Sequence, residues 1–202
     1  MIKAIIFDLG DVIVKVDQTE QFRKFSARSG KDAFQIRQYF EGRIKNELGR
    51  GEISPRQFYQ RTSSKLGLKM NFEEFKKAWC DIFELNKDVA KLIEDLKGKF
   101  KLILLSNTDA LHFPYIRRKF KVVNAFDDFA LSYEIGCMKP NPLIFLNALR
   151  KAGTIPLNCA YFDDIKSFVR VARLMGIKGF QYVNFDNFVD DLKKIGVLTK
   201  TL

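Results

Sequence analysis

Histidine is nearly missing from this chain: its 202 residues include one, His112, and cysteine is scarce at three. Cys80, Cys137 and Cys159 are odd in number, widely spaced and outside any paired motif. That argues against a disulfide framework and predicts buried free thiols in a reducing, cytoplasmic setting. No apolar run approaches the length needed to cross a bilayer, and the N-terminus has no signal-peptide layout, so no membrane partner is expected. Internal repeats and low-complexity segments are also lacking. With 47% apolar and 29% charged residues, the composition is that of an ordinary globular protein. A chain of this length can bury one good core, with room for a smaller satellite.

Acidic residues fall short of basic ones, giving a net charge of +11 and raising the question of a nucleic-acid partner. The distribution argues against one. Residues 15–88 carry 16 basic and 11 acidic side chains and the rest carry 19 and 13, so the excess is spread along the chain. Arg117, Arg118, Lys119 and Lys121 form the one cluster, and the solvated face of an amphipathic helix accounts for it. A positive field of this kind still favours an anionic metabolite.

What the chain does have is a series of apolar strands that end in polar residues. Lys3 to Phe7 runs into Asp8, Leu102 to Leu105 into Ser106-Asn107-Thr108, and Cys159 to Phe162 into Asp163-Asp164, with Lys139-Pro140 on a loop between. Short apolar runs are what strands buried on both faces of a parallel sheet look like. In open α/β sheets ligands collect at the carboxyl ends of the strands. Asp8, Ser106, Lys139, Asp163 and Asp164 are therefore expected to converge. Three carboxylates and one ammonium suit a magnesium ion and a phosphoryl group.

After the first strand the pattern turns helical. Phe22 and Phe25 lie on a helix from Gln18 to Ser29, and Phe34, Ile36, Tyr39, Phe40, Ile44 and Leu48 continue the spacing. Ser54 as N-cap with Pro55 opens a third helix closed by Gly67, and Asn71 caps a fourth that buries Phe72, Phe75, Trp79 and Phe83. From Asn86 onward helices alternate with strands at 101–106, near Ala130, at 159–163 and at 179–183. The expected architecture is α/β: a three-layer, Rossmann-like parallel sheet core at 1–14 and 89–202, with a four-helix insert at 15–88.

Taken together, these signals resemble the haloacid dehalogenase superfamily over essentially the whole chain. Its four loops appear in order as Asp8 to Val12, Ser106 to Thr108, Lys139-Pro140 and Asp163-Asp164, and the insert looks like the family's first type of cap. Gly49 to Ser54 and Ser106 to His112 look most like the bacterial α-glucose-1-phosphatases and their relatives. The resemblance implies a magnesium-dependent phosphatase of a small phosphorylated metabolite, a sugar phosphate by preference. Asp8 would be the nucleophile, forming an aspartyl-phosphate that water hydrolyses. Mg2+ would be held by Asp8, the Gly10 carbonyl, Asp164 directly and Asp163 through water. Ser106 and the Asn107 backbone N–H would grip phosphate oxygens, and Lys139 would offset charge on Asp8 and the transferring group.

Two positions depart from the family pattern. Gly10 stands where phosphatases usually carry an acid for the leaving group, and such help is worth roughly 10²–10⁴-fold in rate. Asp11 could replace it only if the chain turns at Gly10. A missing acid favours substrates with stable leaving anions, such as anomeric sugar phosphates. Phe168 stands where the family commonly has Asp or Asn supporting the metal loop, with Ser167 or Lys166 as candidate substitutes. His112 is expected to pack or hydrogen-bond, with a place at the substrate's edge open to it. Specificity should come from insert residues facing the site, with Phe22, Phe40, Arg43, Glu47 and Arg50 as candidates. Two other readings are a metal-independent C–halogen hydrolase, which metal dependence would exclude, and a non-catalytic binding protein on the same fold. Oligomeric state is not legible.

Overall fold

The computed structural model describes residues 1–199. At its centre is a five-stranded sheet formed by β1 (Ala4–Phe7), β4 (Lys101–Ser106), β5 (Asp128–Leu131), β6 (Cys159–Asp163) and β7 (Lys178–Gln181). Their order is β5-β4-β1-β6-β7, and every neighbouring pair is parallel. The first strand is thus central, with Phe7 opposite both Leu104 and Phe162. The chain builds outward on one side of β1 and then crosses to the other. That reversal creates a crevice at the strand ends beside Asp8.

Alternation along β1 divides the core into two layers. Ile5 and Phe7 pack with α6 (Lys87–Leu96), α7 (His112–Lys119) and α11 (Phe185–Lys194) through Val89, Ile93, Ile116 and Phe188. Ala4 and Ile6 face α9 (Pro142–Ala152) and α10 (Lys166–Leu174) through Ile144, Phe145, Ala148 and Ala172. The short α8 (Ser132–Ile135) follows β5 directly.

Between β1 and α6 the chain leaves the sheet. It passes through β2 (Val14–Val16), α1 (Thr19–Ser29), α2 (Ala33–Glu41), α3 (Arg43–Gly49), α4 (Pro55–Leu66), α5 (Phe72–Cys80) and β3 (Phe83–Leu85). Capping boxes start three of these helices, at Asp32 with Gln35, Ser54 with Gln57 and Asn71 with Glu74. Phe25, Phe40, Phe58, Phe75 and Trp79 are buried in a third apolar cluster, distinct from the two that flank the sheet.

The stretch from Phe34 to Leu48, expected as one helix, is two. Gly42 has extended backbone, and its N–H closes onto Tyr39 O at 3.3 Å. Glycine's weak helix propensity makes it the natural breaking point. The insert accordingly has five helices where the periodicity predicted four. Phe83, expected on the last of them, lies instead in β3, which pairs antiparallel with β2 so that Val16 faces Phe83 and Val14 faces Leu85. Strands this short carry too little pattern to be seen in sequence.

Candidate active site

Asp8 follows β1, and its backbone N–H donates to Phe162 O at 2.9 Å, which ties the loop to the neighbouring strand. Its side chain is almost fully buried beside Lys139, whose Nζ lies 2.7 Å from Asp8 Oδ1 and 2.7 Å from Asp163 Oδ2. Lys139 Nζ also donates to Leu105 O at 3.3 Å. One ammonium therefore bridges the carboxylates that end two adjacent strands. Burial alone would lower the Lys139 pKa, but Asp8 and Asp163 more than offset it and hold the ammonium charged.

Asp8 has the opposite balance. Burial pushes its carboxyl up, Lys139 pulls it down, Asp163 pushes it up again, and the result is a pKa of about 7. Asp164, half-buried, is also raised, first by desolvation and then by the charges of Asp163 and Asp11. One oxygen from each of Asp8, Asp163 and Asp164 lies within 4.8 Å of the others. Three crowded carboxylates with one ammonium make a site short of positive charge. Hard oxygen donors at this spacing fit magnesium. The Asp163 Oδ2 atom accepts from Lys139 and from the Tyr161 hydroxyl, and Oδ1 accepts from Ile165 N at 2.8 Å, so Asp163 has little capacity left for direct ligation.

Ser106 ends β4, and with Gly10, Asn107 and Thr108 it lines a cavity of about 150 Å³. The Asn107 side chain is turned to the protein: Nδ2 donates to Lys139 O at 3.0 Å and Oδ1 accepts from Lys139 N at 2.7 Å. The loop after β4 and the lysine loop are thereby clamped together.

Gly10 lies beside Asp8 with room to spare. A Cβ added there would meet only Val16 Cγ2, at 3.6 Å. The turn falls one residue later, at Asp11, whose φ is +53°. Asp11 Oδ1 accepts from Val16 N at 3.1 Å, and the side chain lines a larger cavity of about 850 Å³ with Tyr182, Asn184 and Phe185. Asp11 thus lies on the Asp164 side, away from the cavity wall formed by Ser106 and Asn107.

His112 has both ring nitrogens engaged. Nδ1 is 2.8 Å from Asp109 Oδ2 and Nε2 is 3.0 Å from Trp79 O, while the ring stacks on Trp79 with centroids 5.0 Å apart. Trp79 Nε1 donates to the same Asp109 Oδ2 at 3.3 Å, and Gln21 Nε2 donates to Trp79 O at 2.9 Å. This clasp joins the insert to the loop after β4. His112 contributes an edge to the small cavity, and both of its ring nitrogens are committed within the clasp.

The insert lines the small cavity with Val16, Ile82 and Phe83 and with two polar side chains, Gln18 and Lys45, neither of which stood out in sequence. Of the earlier candidates, Phe40 is in the insert's core and Phe22 packs against it. Arg43 and Arg61 pair with Glu47 at 2.5 and 3.0 Å, and Arg50 pairs with Glu52 at 2.6 Å. Among the described residues Lys45 has no carboxylate partner within ion-pair distance. Its place in the cavity wall depends on how α3 lies over the sheet, which no local pattern encodes.

The haloacid dehalogenase-like hydrolase family model matches residues 2–176. The chain belongs to that family. A D-ribitol-5-phosphate phosphatase from Bacteroides thetaiotaomicron is 30% identical over 204 residues, covering 96% of this chain and 98% of that protein. A phosphorylated carbohydrates phosphatase from Thermotoga maritima is 25% identical, covering 87% and 82%. Among solved structures, a magnesium complex of a HAD family enzyme from Bacteroides thetaiotaomicron superposes with a TM-score of 0.82 at 27% identity, over 93% of this chain and 98% of that one. An L-2-haloacid dehalogenase from Xanthobacter autotrophicus shares the fold, with a TM-score of 0.65 at 16% identity over 100% and 85%.

Proposed function

We propose that this hydrolase is a magnesium-dependent phosphatase of a small phosphorylated carbohydrate, acting through an aspartyl-phosphate on Asp8. The observation that carries this reading is the convergence of Asp8, Asp163 and Asp164 around Lys139 at adjoining strand ends. The names of the two curated relatives support the substrate class.

The Asp8 carboxylate attacks phosphorus while the phosphorus–oxygen bond to the sugar breaks, the departing oxygen takes a proton from solvent water, and water then hydrolyses the acyl phosphate, releasing inorganic phosphate and restoring Asp8. Asp8, Asp164 and the Gly10 carbonyl would hold the ion, with Asp163 acting through water. Bound magnesium supplies Lewis-acid neutralisation of phosphoryl charge. Ser106 and the Asn107 backbone N–H hold the phosphoryl oxygens, and Lys139 offsets the charge on Asp8 as it attacks. The insert at 15–88 serves as a cap over the core at 1–14 and 89–202, with Gln18 and Lys45 facing the sugar.

The test is a panel of sugar and polyol phosphates assayed with magnesium and with EDTA. The expected outcome is turnover lost on chelation, with anomeric phosphates favoured over primary alkyl esters because Gly10 supplies no acid, a preference that would set this chain apart from its ribitol-5-phosphate relative. Full activity in EDTA, or release of halide from a 2-haloacid in place of phosphate, would overturn the reading. Binding of a metabolite with no turnover would favour a non-catalytic role.

A further inference from the structure

Phe168 leaves the acidic loop without a polar support from α10, and the geometry points to a replacement from another element. We infer that Tyr161 is a positioning residue, whose hydroxyl orients Asp163 and, through it, Lys139. The inference rests on the phosphatase reading above.

Tyr161 and Asp163 are two residues apart on β6, so they project from the same face of the sheet. The Tyr161 hydroxyl donates to Asp163 Oδ2, the atom that also accepts from Lys139 Nζ. Both Tyr161 and Asp163 are fully buried, so no bulk water is at hand to take the place of a lost donor. The phenol ring is fixed edge-on against Phe145, with centroids 5.5 Å apart and planes at 86°.

Phe168 explains the other half of the arrangement. Its ring lies 5.2 Å from Lys139 Nζ, and the Tyr161 ring lies 6.0 Å from the same atom. The ammonium is held between two carboxylates and two aromatic rings. A polar side chain at 168 would have supplied a hydrogen bond and no ring face. Here the hydroxyl comes from the strand and the helix contributes a ring that attracts the cation. Neither Ser167 nor Lys166, the neighbours that could have compensated, makes a hydrogen bond to Asp163 among the described contacts. Outer partners of this kind set the orientation of metal-binding carboxylates, and their loss typically costs 10–100-fold in metal affinity or activity.

The test uses Tyr161→Phe, Phe168→Asn and the double variant, with magnesium affinity read by calorimetry and by the magnesium-induced rise in unfolding temperature. Tyr161→Phe should weaken magnesium binding by about tenfold. In steady-state assays kcat should fall while KM for the phosphate ester stays near wild type. Adding Phe168→Asn should restore most of the loss, because a polar group returns to the loop from α10. Wild-type magnesium affinity in Tyr161→Phe overturns the inference. So does a loss that Phe168→Asn cannot relieve, since that marks a packing defect. A wild-type protein that takes up no magnesium at all overturns the functional reading and this inference together.

Discussion

The insert and the sheet bury their interiors in different ways. In the insert, aromatic rings pack on one another: Phe58 and Trp79 centroids are 4.7 Å apart, Phe40 and Trp79 5.0 Å, and Phe25 and Phe75 5.4 Å. The central strands β1 and β4 are largely aliphatic, and their ladder places Asp8 and Ser106 by backbone pairing. Specific side-chain contacts link the two regions. Trp79 meets Asp109 and His112, Cys80 Sγ donates to Leu111 O at 3.4 Å, and Lys119 Nζ donates to Phe83 O at 3.2 Å. On the proposed reading, the reacting groups belong to one region and the selecting groups to the other, and disturbing one should leave the other in place.

The strongest test of that division is Asp8→Asn, which should cut turnover by at least about 10³-fold and leave the fold and the insert intact. Near-wild-type turnover in a correctly folded variant would break the comparison outright. Trp79→Ala acts on the opposite region. It removes the ring at the centre of the aromatic cluster and a donor to buried Asp109, for a loss of about 3–5 kcal/mol. Hydrogen exchange should show α4 and α5 deprotected while β1 and β4 stay protected. Uniform deprotection would mean that the two regions unfold as one.

Gly10→Asp probes the boundary between them. A Cβ at Gly10 meets nothing closer than Val16 Cγ2 at 3.6 Å, and with the added carboxyl, turnover of primary alkyl phosphates should rise by up to about 10²-fold relative to anomeric ones. An unchanged ratio would show that leaving-group protonation does not limit the reaction. Lys45→Met should raise KM for a sugar phosphate by about tenfold with kcat little altered, since an unpaired cation on the insert contributes binding outside the reacting atoms. A fall in kcat with KM unchanged would place Lys45 in the chemistry.

The smallest effect concerns pH. Burial tends to raise the Asp109 pKa, but the charge of His112 and the hydrogen bonds from His112 and Leu111 outweigh it and hold the carboxyl below its ordinary 3.8. A depressed acid stabilises the fold above its unfolded pKa, and that contribution is lost as the pH falls through the folded value. Asp109→Asn should therefore flatten the acid limb of the stability curve below about pH 4 and leave the slope near neutrality unchanged. A steeper acid limb in the variant would reverse the sign assigned here.

Much of the sheet and of the candidate centre was legible because the signals are local. Strands β1, β4 and β6 are short apolar runs with polar ends: Ser106 and Asp163 close β4 and β6, and Asp8 and Asp164 follow β1 and β6 directly. Ser54-Pro55 and Asn71 announce their helices through capping chemistry. What escaped detection depends on contacts between elements distant in sequence. The break at Gly42 and the β2–β3 pair are too short for periodicity to register. The Trp79–Asp109–His112 clasp joins two segments distant in sequence, each unremarkable alone. Lys45 was hidden among Arg43, Arg50 and Arg61, and only their pairing with Glu47 and Glu52 sets it apart.

The antiparallel pairing of Val16 with Phe83 gives the whole helical module a single narrow neck, with entry and exit side by side. A two-residue hairpin turn could bridge that neck. On the proposed reading, a different set of helices grafted at the same seam should change what is admitted, leaving the acids beneath where they are.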